Sequence, residues 1–148
     1  MPAIALPDAD ATAALGARLA GLLAAGDAIC LFGDLGAGKS TLARGLIRAL
    51  TSPDEDVPSP TFTLVQTYDG PAFTIAHFDL YRLTSAAEAY EIGLDEALDD
   101  GCAVIEWPER LEGDLPRDRL DVELSVRGES RDARITPHGR FEGLTLGL

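Results

Sequence analysis

Apolar and polar positions along the chain switch between helical and strand spacing several times. Leu15, Leu19, Leu22 and Leu23 recur at the period of one helix face, predicting an opening helix over 11–25, capped near Asp8 or Asp10 and stopped at Gly26. Ala28-Ile29-Cys30-Leu31-Phe32 is a continuous apolar run of strand length. After a glycine-rich break, Leu42, Leu46, Ile47 and Leu50 form a second helical stripe. Residues 51–60, with prolines at 53, 58 and 60 and three acids between them, predict a loop. Strands are expected over 61–68 and 73–78, joined by an Asp69-Gly70 turn, and a short buried one over 103–105. Ser85-Ala86-Ala87-Glu88 has the form of a capping box opening a short helix. Residues 120–126 and 131–136 flank a Gly-containing turn and predict an antiparallel hairpin.

The break between the first strand and the second helix is Gly33-Asp34-Leu35-Gly36-Ala37-Gly38-Lys39-Ser40-Thr41, which fits the P-loop pattern G-x-x-x-x-G-K-[ST]. Its residue types follow from the chemistry of phosphate binding. Glycines let successive N–H groups approach phosphate oxygens with no Cβ in the way. The following helix adds unpaired N–H groups and the positive end of its dipole. Lys39 is a compact charge for the β- and γ-phosphates, and the Ser40 hydroxyl suits Mg²⁺. A glycine-rich turn could match by chance on the order of once in a thousand such chains, but here strand, loop and helix follow in the required order. The expected fold is α/β: a P-loop NTPase-like three-layer arrangement with a mixed parallel/antiparallel sheet and the ligand at the carboxyl ends of its strands. Residues 1–148 are expected to form a single P-loop ATPase domain, with 118–148 an antiparallel hairpin extension.

Composition sharpens this. Of twelve basic residues eleven are Arg, and the one Lys is Lys39. Twenty-five acids give a net charge of −13, which argues against a direct grip on nucleic acid or an anionic membrane. Residues 1–106 hold 16 acids and 5 bases, so the nucleotide-bearing part is the acidic part, suited to a basic partner surface. There is no apolar stretch of membrane-spanning length, and the start lacks the features of a signal peptide. Cys30 and Cys102, both in apolar runs, read as buried thiols of a cytoplasmic protein.

A P-loop needs an acid at the end of a neighbouring strand. Asp79 ends the run 73–78 and Glu106 ends 103–105; spacing alone does not say which holds the metal and which positions water. His77, on an apolar strand, reads as structural, and Trp107 as a core anchor. The chain contains no Asn, so the Asn-Lys-x-Asp guanine reader of Ras-type GTPases is missing and ATP becomes the default. Its length leaves no visible acceptor site, which favours an ATPase serving another protein over a small-molecule P-loop kinase. A nucleotide-sensing module in which ATP only orders 58–65 is the third possibility.

Four ordered stretches carry a family resemblance: 33–41, Ser59-Pro60-Thr61-Phe62-Thr63-Leu64-Val65, His77-Phe78-Asp79-Leu80-Tyr81-Arg82-Leu83 and Ile105-Glu106-Trp107-Pro108-Glu109-Arg110. Together they resemble TsaE, the small bacterial ATPase of tRNA threonylcarbamoyladenosine biosynthesis. The resemblance implies a P-loop α/β fold and slow ATP hydrolysis with Mg²⁺. It also implies action with the TsaB–TsaD pair, in which TsaD transfers the threonylcarbamoyl group to the adenosine beside the anticodon, so that tRNA is met only through the partners. By the same resemblance Lys39 contacts phosphate, Ser40 and Glu106 belong to the Mg²⁺ site, and Asp79 is an essential acid beside it. Thr61 lies in a switch-like segment near the γ-phosphate, Thr41 is a second loop hydroxyl, Trp107 borders the site, and the base lies near Pro7-Asp8. Ser40 stands where Thr is common in relatives, and Phe62 where Tyr is common; the first exchange keeps the hydroxyl and the second removes one.

Overall fold

The computed structural model describes residues 3–60, 63–144 and 146–148. The elements run β1 (Ile4–Leu6), α1 (Ala9–Ala20), β2 (Ala28–Phe32), α2 (Lys39–Leu50), β3 (Val65–Asp69), β4 (Thr74–Asp79), α3 (Ala87–Glu91), α4 (Leu94–Asp100), β5 (Gly101–Glu106), a 3₁₀ turn (Pro108–Leu111), β6 (Arg119–Arg127), β7 (Ser130–His138) and a closing 3₁₀ turn (Gly139–Phe141). The strands form one sheet in the order β1-β7-β6-β2-β5-β4-β3. Its centre, β6-β2-β5-β4, is parallel, while β3 and the β7-β1 edge run antiparallel, giving the expected mixed sheet.

Each face of the sheet carries its own core. On one, Ile29, Leu31, Ile75, Cys102, Val104, Leu120 and Val122 pack under Leu15 and Leu19 of α1 and Leu42, Leu46 and Ile47 of α2. On the other, Cys30, Ala76, Phe78, Ala103 and Ile105 pack under Ala89 of α3, Leu94 of α4 and Leu111. Because β2 and β5 are covered on both faces, they are continuously apolar, with no alternation. The hairpin β6–β7 is part of this sheet: β6 pairs in parallel with β2 from Ala28↔Arg119 to Phe32↔Glu123. Burial pushes both thiols up, that of Cys102 to about 12, so both stay protonated and unreactive.

α1 and α2 cross with their backbones almost in contact. A Cβ on Gly45 would lie 2.2 Å from the carbonyl oxygen of Ala13, and one on Gly16 2.2 Å from that of Leu42. The two glycines are what let the helices approach so closely.

Several boundaries differ from expectation, each for a tertiary reason. Asp8 is the cap of α1, accepting from Ala11 N at 2.8 Å, but the helix ends at Gly21, well before Gly26. The following residues are drawn off by Asp27, which accepts from Ala24 N, and by Arg140, which donates to Leu22 O and to the Asp27 carboxylate. β3 begins at Val65, because Leu64 is left-handed at φ 68° with its N–H turned to Pro60 O; positions 61 and 62 of the expected strand lie outside the described residues. At α3 the residue before the first helical one is Ala86, one place after the expected Ser85 and without a side chain that caps; Glu88 instead accepts from Thr84 N and Oγ1. β1 and α4 carry no sequence signal that predicted them. β1 is three residues long and exists through its pairing with β7.

Candidate functional site

The chain leaves the carboxyl end of β2 into a turn in which Gly33, Gly36 and Gly38 have φ of 149°, 83° and 106°. At Gly33 a Cβ would also meet Leu124 O at 2.7 Å. Gly38 is the N-terminal cap of α2 and offers no side chain to the helix, so the amides of the first turn are available to a ligand. Lys39, the first residue of α2, is buried at 5% exposure, and its Nζ has no hydrogen-bond partner among the described residues. The ammonium sits 3.4 Å from the centroid of the Trp107 ring. Burial pulls its pKa below the usual 10.5, against the opposing pull of Glu106, Glu109, Asp79 and Asp34. A buried cation with no acceptor is costly to keep, and the glycine turn before it is shaped to receive an anion.

The facing wall comes from the ends of two parallel strands. Asp79 of β4 and Glu106 of β5 are direct register partners. Glu106 accepts from Ser40 Oγ at 3.3 Å and is joined to His77 Nε2 at 2.6 Å. Asp79 accepts from Tyr81 N at 3.0 Å, and Leu80 N donates to Glu106 O, tying the two strand ends together. Trp107 is left-handed at φ 59°, a conformation costing about 1–3 kcal/mol in a bulky residue. That conformation turns the indole over Lys39 and against Tyr81, ring centroids 4.9 Å apart. Lys39, Ser40, Thr41, Asp79, Glu106 and Trp107 line one cleft of about 260 Å³.

Among the described residues no three His, Cys, Asp or Glu side chains cluster as a self-sufficient metal cage. A hydroxyl and two carboxylates beside a phosphate cradle are instead a hard-oxygen set. They fit an ion that takes one or two protein ligands and completes its shell from phosphate and water, as Mg²⁺ does.

The family model described as threonylcarbamoyl adenosine biosynthesis protein TsaE matches residues 6–135. The chain belongs to the TsaE family. It is 40% identical to the tRNA threonylcarbamoyladenosine biosynthesis protein TsaE of Rickettsia felis over 85% of this chain and 74% of that one. It is 41% identical to the Nostoc TsaE over 93% and 86% of the two chains, and 36% identical to that of Bacillus subtilis over 80% and 75%. Its fold is similar to the crystal structure of Bacillus subtilis YdiB, with a TM-score of 0.78 and 28% identity over 95% of this chain and 88% of that one.

Within this TsaE fold, Gly33 through Thr41 form the turn and the first helical residues, with Ala37 buried and Leu35 projecting at 73% exposure. Asp79, Glu106 and Trp107 converge on Lys39 and Ser40, whereas Thr61 lies outside the described residues. Two contributors were missed. His77 shares its strand face with Ile75 and Asp79 at period two, a pattern that could have pointed to it. Arg131 has no local signal: it comes from β7, 95 residues away, and donates from Nε and Nη2 to Gly36 O at 3.3 and 3.1 Å. This clamp fixes a carbonyl of the turn. Arg131→Ala is expected to weaken nucleotide binding about fivefold, roughly 1 kcal/mol, measured by calorimetric titration, with little change in melting temperature.

Proposed function

We propose that this chain binds ATP with Mg²⁺ in the cleft at the start of α2 and hydrolyses it in tRNA threonylcarbamoyladenosine biosynthesis. We further propose that it does so in the cytoplasm, as the partner of a TsaB–TsaD pair that itself contacts the tRNA. The observation that carries the reading is the buried Lys39 ammonium, held without an acceptor among the described residues at the end of a glycine turn and opposite two carboxylates. Family membership supplies the pathway, since the relatives are named for it.

The roles follow from position. The amides of 36–40 and the Lys39 ammonium bind the phosphate chain and neutralise it. Ser40 and Glu106, already in contact, are the pair that would hold Mg²⁺, with Asp79 as the second carboxylate beside them. When bound, the ion would supply positive charge that offsets the charge of the phosphate chain. Trp107, held over Lys39, covers the ammonium on the side away from the turn and limits the access of water to it. The acidic surface and the absence of any helix, among the described residues, long and apolar enough to cross a membrane accord with a protein partner in solution.

The test is phosphate release from ATP, alone and with TsaB–TsaD. Release that requires Mg²⁺ and falls on the order of 100-fold in Glu106→Gln is expected. Transfer of the phosphate to a metabolite would instead make the protein a small-molecule kinase. Binding without hydrolysis even beside the partners would leave a sensing module.

A further inference from the structure

His77 is the one buried titratable side chain at the cleft to which the roles above assign nothing. It is 1% exposed, and its Nε2 lies 2.6 Å from Glu106 Oε2, across the sheet and one step diagonal from its register partner Val104. Glu106 therefore has both oxygens engaged, Oε2 by His77 and Oε1 by Ser40. The other ring nitrogen, Nδ1, is buried with no partner among the described residues. The one hydrogen bond of the His77 ring among the described residues is with the acid of the cleft.

We propose that His77 is a positioning residue: it donates through Nε2 to Glu106 Oε2 and so fixes the carboxylate with Oε1 turned to Ser40. The inference rests on Glu106 belonging to the magnesium site proposed above. A glutamate's terminal torsion is broad, so without a donor the carboxylate can rotate away from the hydroxyl with which it shares the ion. Partners of metal-ligating groups that act in this way typically change metal affinity by on the order of 10- to 100-fold when removed.

The test compares His77→Leu, which fills the site without a donor, with His77→Gln, whose amide nitrogen can reach the position of Nε2. Fluorescence of Trp107, the only tryptophan, reports ATP binding as Mg²⁺ is titrated, independently of hydrolysis. In His77→Leu the half-saturating Mg²⁺ should rise on the order of 10- to 100-fold while metal-free ATP affinity stays at the wild-type value. His77→Gln should recover most of the difference. If His77→Leu does not fold, His77→Asn takes its place, because its amide is too short to reach Oε2. A folded donor-free variant with the wild-type Mg²⁺ response overturns the role of His77 and leaves the nucleotide site standing. A wild-type protein with no Mg²⁺ response at all overturns both.

Discussion

Lys39→Ala is expected to abolish ATP binding, a loss of at least 100-fold or about 2.7 kcal/mol, while melting no lower than the wild type. Loss of function and retained stability follow from the same geometry. The ammonium is buried with no hydrogen-bond partner among the described residues, so the fold gains little from it and bears its desolvation; a phosphate chain would supply the missing acceptor. The contact with Trp107 and the pull of the nearby carboxylates offset part of that cost, but the depressed pKa gives the sign of the sum. A lysine whose folded pKa lies below 10.5 penalises the folded state most at pH values below the folded pKa, where it is charged in both states. The penalty is relieved as pH rises through the folded pKa towards 10.5. Any stability advantage of Lys39→Ala should therefore be largest at pH values below the folded pKa and vanish above about pH 10.5. Calorimetric titration with Mg-ATP and melting curves across pH check both halves. A variant that melts well below the wild type at pH 7 would show that the ammonium holds the fold together and is not held in reserve for a ligand.

Gly45→Ala is the largest expected loss of stability. Two effects of opposite sign compete. Alanine in place of glycine inside a helix is worth about 1 kcal/mol of propensity. Against this, the new Cβ would sit 2.2 Å from the Ala13 carbonyl oxygen and 2.8 Å from its carbon, both backbone atoms of the crossing helix. Backbone cannot rotate aside as a side chain can, so α1 and α2 must separate, and overpacking of this kind costs 1–3 kcal/mol or more. The clash wins, for a net loss of about 2 kcal/mol and a drop of roughly 4–8 °C in melting temperature. Nucleotide affinity should fall with it, because α2 carries Lys39 and Ser40 at its first turn. A rise of a few degrees would mean that propensity prevails and that the helices do not pack as closely as described.

Much of the glycine-turn side of the cleft was legible because its determinants are local. The glycines at 33, 36 and 38, the lysine at 39 and the hydroxyl at 40 do their work within one turn of chain, and the apolar runs on either side announce the strand and the helix. Asp79 and Glu106 were found by a weaker rule, an acid at the end of an apolar run, which left their roles open. Pairing of β4 with β5 in register is what puts them side by side.

His77 and Arg131 mark where the reading stopped. On its own strand His77 is one polar residue among apolar ones, and only the neighbouring strand supplies Glu106 as its partner. Arg131 reads as one surface arginine among eleven until the hairpin joins β2 through β6 and carries β7 to the turn. The same holds for the ends of α1 and β3, where Arg140, Asp27 and Pro60 decide what the local pattern cannot.

By itself the sequence determined the alternation of strand and helix, the two-faced burial of the central strands and the glycine turn before α2, because backbone freedom and hydrophobic periodicity act over a few neighbouring residues. The tertiary structure alone decided which carboxylate meets Ser40, which histidine steadies it and which arginine braces the turn. Those contacts span 66, 29 and 95 residues, and side chains that far apart meet only where the register of the sheet brings their strands together.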